Sequence, residues 1–112
     1  MKYDENKPPL ALIPPEALFE IAKVFSFGAE KYGENNWRND GHCTSWTRTY
    51  SSIQRHLNHW MLGENVDSES GLSHLTHATT QLIILMIHQM EYPEVDDRYN
   101  TKRKRLIRKD DV

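Results

Sequence analysis

Three segments of the chain place apolar residues at spacings of three and four, which is the pattern of an amphipathic helix. The positions are Leu18, Ile21, Ala22, Phe25 and Ala29, then Trp46, Tyr50, Ile53, Leu57 and Trp60, and then Leu72, Leu75, Thr79, Leu82, Leu85 or Met86 and Gln89. No segment alternates apolar and polar residues as a half-buried strand does. The sequence therefore predicts an all-α protein in which these three stripes face the core.

Prolines and glycines mark the ends of the predicted helices. Pro15 suits the first helical position because its φ is already near the helical value, and Gly33 ends the first helix. Gly63 stops the second helix and Pro93 the third. The predicted spans are Pro15 to about Tyr32, Thr44 or Ser45 to Gly63, and about Gly71 to Glu91. Because the last connection is short, we expect the second and third helices to form an antiparallel hairpin.

Size and composition favour one small domain that is completed by association. The chain has 112 residues, enough for a single core, but only 38% of them are hydrophobic. We therefore expect oligomerisation to complete the antiparallel helical bundle. Residues 1–95 form the predicted domain, and residues 96–112 form a basic tail that is either a frayed helix or an interchain arm.

Charge and cysteine content restrict the class of protein further. Residues 101–112 hold six Lys or Arg and two Asp and therefore carry a charge of +4. Because the net charge of the whole chain is −2, residues 1–100 carry −6. An acidic body disfavours a stable nucleic-acid partner and suits divalent cations. The longest apolar run, 82–87, is too short to span a bilayer, and the start does not resemble a signal peptide. With Cys43 as its single cysteine, the chain is predicted to be cytoplasmic.

Histidines are the most informative residues for chemistry. His56 and His59 are three residues apart, as are His74 and His77, so each pair shares one face of its helix. In an antiparallel hairpin the two pairs lie at similar heights and can face each other. The connecting turn contributes the carboxylates Glu64, Asp67 and Glu69, and His88 continues the stripe of the third helix. The pattern predicts a divalent metal site for Mg²⁺ or Mn²⁺, with Co²⁺ or Zn²⁺ as alternatives, although single histidines are more often core or surface residues.

Residues in the first part of the chain favour a nucleotide as ligand. The cations Lys2, Lys7 and Lys31 are candidates for phosphate oxygens. Trp37 offers a flat surface for a base beside the amides of Asn35 and Asn36. The alternatives are solvated lysines and a tryptophan that fills the core.

Four strings of this sequence carry a family resemblance. KYDENKPPLALIPPEAL, FSFGAEKYGENNW, RHLNHWMLGENVDSESGLSHLTHA and the apolar helix that follows resemble the bacteriophage dATP/dGTP diphosphohydrolase family of MazG-like enzymes, over about residues 1–92. The resemblance implies an all-α NTP pyrophosphatase fold, a dimer or tetramer, and cleavage of purine deoxynucleoside triphosphates between the α and β phosphates. It also implies a role in the nucleotide pool of a phage-infected cell.

Roles follow from this resemblance position by position. The expected substrate-binding residues are Lys7, Lys31, Tyr32, Asn36 and Trp37. The expected metal ligands are His56, Asp67, Glu69, His74 and His77. The expected catalytic residues are Lys31 and Arg55, which stabilise the leaving pyrophosphate, and Glu64 or Glu69, which accepts a proton from water.

One departure from the MazG-like pattern leaves individual ligands open. The comparable helices lack the acidic EExxE and ExxD motifs of typical members and carry RHLNH and HLTH instead. Either the histidines replace acidic ligands or the turn carboxylates are the ligands. Two other functions compete: an HD-type phosphohydrolase, although no adjacent His-Asp pair occurs, and a helical binding protein without catalysis.

Overall fold

The computed structural model describes residues 6–38 and 45–99, and within these ranges the chain is all-α. Three helices span Pro15–Tyr32 (α1), Trp46–Met61 (α2) and His74–Glu91 (α3). Short 3-10 turns lie at Leu10–Leu12, Asn36–Arg38 and Pro93–Val95, and the described residues hold no strand beyond an isolated antiparallel bridge, Val66 to Ser73. None of these helices is long and apolar enough to cross a bilayer. The predicted fold class is confirmed.

The ends of α1 lie where proline and glycine predict them. Pro15 occupies the first helical position. Gly33 follows the last turn with a φ of 97°, a value that side chains disfavour, and its N–H donates to the Ala29 carbonyl at 2.8 Å. Three residues named in the predictions lie outside the described residues: Lys2, Cys43 and Thr44.

The start of α3 differs from the predicted start near Gly71. The Ser73 hydroxyl accepts hydrogen bonds from the N–H groups of Leu75 and Thr76, so the helix begins at His74. The residues before it form a turn, in which the Asp67 N–H donates to the Leu72 carbonyl at 2.8 Å. A serine cap accepts hydrogen bonds from N–H groups of the first helical turn that would otherwise have no partner. The cap at Ser73, and not the apolar periodicity, therefore determines where α3 begins.

The predicted antiparallel hairpin of α2 and α3 is present. Near the connection, His56 on α2 contacts His74 on α3. At the other end, Asp97, which follows α3, contacts Thr47 at the start of α2. α1 packs against α3 and leaves an open space beside the hairpin.

The buried face of α3 is not the predicted apolar stripe. Its buried residues are His74, His77, Ala78, Thr80 and His88, whereas Leu75, Thr79, Leu82, Met86 and Gln89 are exposed. The prediction was wrong because the inward histidines obtain hydrogen-bond partners, which removes most of the cost of burying them. For α2, the prediction of a buried stripe is confirmed at Trp46 and Ile53. It is wrong at Tyr50 and Trp60, which are exposed.

The segment after α3 caps α2. The Thr47 N–H and hydroxyl both donate to the Asp97 carboxylate, at 3.0 and 2.5 Å, and the Arg98 guanidinium lies 4.8 Å from the centre of the Trp46 ring. Asp97 and Arg98 of the predicted tail therefore contact α2. Residues 100–112 of that tail lie outside the described residues.

Replacing Asp97 by alanine is expected to lower the melting temperature by a few degrees. The change removes the acceptor for an N–H in the first turn of α2 and a negative charge next to the positive end of the helix. Asp97→Asn keeps an acceptor but loses the charge, so its melting temperature is expected to lie between those of the wild type and Asp97→Ala. Thermal melts followed by circular dichroism check this, and equal melting of all three proteins would contradict the capping role.

Candidate active site

An open groove of about 1280 Å³ lies between α1, the Asn36–Arg38 turn and the α2–α3 hairpin. Nine of the twelve predicted site residues line it: Lys31, Tyr32, Asn36, Trp37, Arg55, His56, Asp67, Glu69 and His77. Two others, Glu64 and His74, contact each other behind His56. Lys7 is exposed and does not line the groove. The fold therefore gathers most of the predicted residues around one space.

Four imidazole rings form a continuous cluster at the connection of the hairpin. The His56 and His77 rings stack with centroids 4.6 Å apart, and the His59 and His74 rings stack at 5.2 Å. Between the stacks, the Nδ1 atoms of His56 and His74 are 2.9 Å apart. The two histidine pairs of the sequence therefore meet face to face, as the spacing predicted.

Carboxylates and a serine hydroxyl surround this cluster. Glu64 Oε1 lies 3.0 Å from His74 Nε2, and Glu64 Oε2 lies 3.4 Å from His59 Nδ1. Asp67 accepts a hydrogen bond from the Ser70 N–H at 2.9 Å. The Ser70 hydroxyl in turn hydrogen-bonds His77 Nε2 at 2.6 Å.

The electrostatics favour the neutral forms of His56 and His77 and the ionised forms of Glu64 and Asp67. Burial lowers the pKa of His56, and the neighbouring His77 and His74 lower it further. Burial also lowers the pKa of His77. A hydrogen bond from His74 lowers the pKa of Glu64, whereas for Asp67 the hydrogen bonds from Ser70 outweigh the opposing effect of burial and lower its pKa. A neutral imidazole beside a carboxylate is the form in which both groups bind metals.

The donor atoms fit a divalent ion. Ligand atoms of His56, Asp67 and His74 all lie within 4.8 Å of one another. Two nitrogens that bind one ion at about 2.0–2.1 Å lie roughly 3 Å apart, close to the separation of the two Nδ1 atoms. A second set, His59, Glu64 and His74, meets the same distance limit and shares His74. The sequence did not assign His59 a role, although its pairing with His56 was visible.

Two of the predicted metal ligands have other partners in this structure. His77 contacts Ser70 and stacks on His56. Glu69 forms an ion pair with Lys31, which joins the last turn of α1 to the hairpin connection. This pairing raises the pKa of Lys31. The Lys31 ammonium also lies 5.4 Å from the centre of the Tyr32 ring, so three predicted residues meet at this edge of the groove.

Trp37 forms the opposite end of the groove and is also packed. Its ring centroid lies 5.8 Å from those of both Phe25 and His88. The His88 Nε2–H donates to the Trp37 carbonyl at 2.7 Å, and the neighbouring Arg38 pairs with Glu91 at 3.1 Å. The end of α3 thus fixes the Asn36–Arg38 turn. Trp37 therefore fills space, as one of the two alternatives predicted, and it also lines the groove, whereas its stacking on a base stays a prediction.

Comparison with known proteins identifies the family of this chain. The family described as dATP/dGTP diphosphohydrolase, N-terminal, matches residues 1–98. A dATP/dGTP diphosphohydrolase of Salmonella phage PMBT28 is 33% identical over 98 residues, which are 88% of this chain and 32% of that relative. The chain thus spans about a third of the length of the curated relative it matches, and no solved structure matches it. Because the family match covers nearly all of the sequence, the chain belongs to the dATP/dGTP diphosphohydrolase N-terminal family.

Proposed function

We propose that this chain carries a metal-dependent active site that hydrolyses dATP or dGTP to the monophosphate and pyrophosphate. One observation carries the proposal: the groove has a histidine and carboxylate cluster at one end and an aromatic wall with an amide at the other. The related phage protein is named for dATP and dGTP, which supports the choice of substrate.

Dimensions of the groove are consistent with a nucleotide. His77 and His88 both line it and are eleven residues apart on α3, about 16 Å at the rise of an α-helix. An extended nucleoside triphosphate has a comparable length. We place the triphosphate at the His56 and Asp67 end and the base at the Trp37 end, where Asn36 can contact its edge.

The proposed metal ligands are His56, Asp67 and His74. A bound divalent ion supplies positive charge to the triphosphate and makes a water molecule easier to deprotonate. This set is narrower than the one the sequence predicted, because Glu69 and His77 make contacts with Lys31 and Ser70.

The protein's own residues bind and orient the substrate. Lys31 and Arg55 line the groove and bind phosphate oxygens, which favours departure of pyrophosphate. When phosphate takes the place of Glu69 beside Lys31, the Glu69 carboxylate is released and can accept the proton of the attacking water. Glu69 is preferred to Glu64 as the base because only Glu69 lines the groove.

A product assay tests the proposed function. The chain is incubated with dATP, dGTP and pyrimidine deoxynucleotides in the presence of Mg²⁺, Mn²⁺ or Co²⁺, and the products are separated by ion exchange. We expect purine deoxynucleoside monophosphate and pyrophosphate, with no turnover in the presence of a chelator. Release of intact triphosphate or of inorganic phosphate would indicate an HD-type reaction, and binding without turnover would indicate a non-catalytic binding protein.

We also propose that the chain associates with itself through α3. Large apolar residues at Leu75, Leu82, Met86 and Met90 follow helical spacing on one face and are 43% to 72% exposed. Their burial in a second copy would complete the small core of the single chain. Sedimentation at micromolar concentration is expected to show a dimer or tetramer, and Leu82→Glu is expected to shift it towards monomer. A wild type that sediments as a monomer would contradict this.

A further inference from the structure

Glu64 and His56 lie at opposite ring nitrogens of His74, one of the proposed metal ligands. Its Oε1 atom is 3.0 Å from His74 Nε2, while His74 Nδ1 faces His56 Nδ1 at 2.9 Å. The Glu64 N–H donates to the His59 carbonyl at 3.0 Å, which holds Glu64 against the end of α2. The imidazole of His74 therefore separates Glu64 from the groove.

The contact with Glu64 determines which nitrogen of His74 carries the proton. An ionised carboxylate only accepts hydrogen bonds, so the Nε2 atom of His74 must donate. An imidazole whose single N–H is at Nε2 has a lone pair at Nδ1, and His74 Nδ1 faces His56 Nδ1 in the cluster that also contains Asp67. His74 is only 1% exposed, so water does not compete with Glu64 for this nitrogen.

We infer that Glu64 is a positioning residue, which fixes the tautomer of His74 so that Nδ1 is available as a metal ligand. The inference rests on the proposed function and replaces the role of general base that the sequence suggested for Glu64. Metal-binding histidines commonly donate their second N–H to a carboxylate in this way. While His74 Nε2 donates its proton to Glu64 it cannot also bind an ion, so this tautomer disfavours a second ion in the set of His59, Glu64 and His74.

Imidazole ¹⁵N NMR of the metal-free protein tests the tautomer directly. We expect His74 of the wild type to be protonated at Nε2. Glu64→Gln is expected to keep this tautomer, because the amide oxygen accepts the same hydrogen bond. Glu64→Ala is expected to give a mixture of the two tautomers of His74. Glu94→Ala, an exposed glutamate in the turn after α3, is the matched control. A wild-type proton on Nδ1, or an unchanged tautomer in Glu64→Ala, would overturn the inference whether or not the protein is a hydrolase.

Calorimetric titration with Mn²⁺ tests the consequence for the site. Loss of the carboxylate in Glu64→Ala is expected to weaken Mn²⁺ affinity about 10- to 100-fold, and Glu64→Gln is expected to recover most of it. Unchanged Mn²⁺ affinity in Glu64→Ala, or two ions per wild-type chain, would count against the positioning role. A wild type with the expected tautomer and no affinity for Mn²⁺ would instead overturn the proposed metal site and leave the inferred hydrogen bond intact.

Discussion

Asp67→Asn is expected to reduce turnover of dATP and dGTP by at least about 100-fold while helical content stays at the wild-type level. Asp67 is the only carboxylate in the proposed ligand set with His56 and His74. Residues that merely orient a metal ligand cost roughly 10- to 100-fold when replaced, so a direct ligand should reach at least the upper end of that range. The asparagine oxygen still accepts the hydrogen bond from the Ser70 N–H, which keeps the turn in place.

Steady-state kinetics over a range of Mg²⁺ and Mn²⁺ concentrations measures this effect. Asp97→Asn is the matched control, because it makes the same chemical change at a carboxylate that contacts Thr47 outside the groove. We expect the control to retain wild-type turnover. If Asp67→Asn keeps the metal dependence of the wild type, the ligands lie elsewhere and the histidines serve packing.

His56→Ala and His77→Ala form a matched pair with opposite expected outcomes. The two rings stack on each other, so each variant loses the same stacking contact. His56 contributes a nitrogen to the proposed ligand set, whereas His77 is hydrogen-bonded to Ser70. We expect His56→Ala to abolish detectable Mn²⁺ binding, and His77→Ala to bind Mn²⁺ but to lose about 1 to 3 kcal/mol of unfolding free energy.

Calorimetry and chemical denaturation of both variants distinguish the possibilities. Loss of Mn²⁺ binding in both would return His77 to the ligand set that the sequence predicted. Retention in both would show that the histidine cluster is a structural element of the hairpin. The stability measurements ensure that a loss of binding is not a loss of folding.

The helices and the meeting of the histidine pairs could be predicted because both depend on local spacing. Pro15 and Gly33 set the ends of α1 through their own backbone preferences. His56 and His74 meet because a short connection makes α2 and α3 antiparallel. These features require no knowledge of the rest of the molecule.

The orientation of α3 could not be predicted in the same way. Periodicity shows which residues share a face, but α3 has two periodic stripes, one apolar and one rich in histidine. The partners that make the histidine stripe favourable to bury are distant in sequence, as the Trp37 carbonyl is from His88. The sequence also could not show that Glu64 and Glu69, five residues apart, lie on different sides of the cluster.

Both ends of the groove depend on a single continuous helix. His77 near the start of α3 and His88 near its end fix the cluster and the Trp37 wall at a constant separation, whereas α1 forms the opposite wall. The groove's length is thus set by α3 and its width by α1. One residue inserted between His77 and His88 would add about 1.5 Å and rotate the remainder of the helix by about 100°. Such an insertion would remove His88 from the Trp37 carbonyl, so α3 should tolerate substitutions in this interval far better than changes of length.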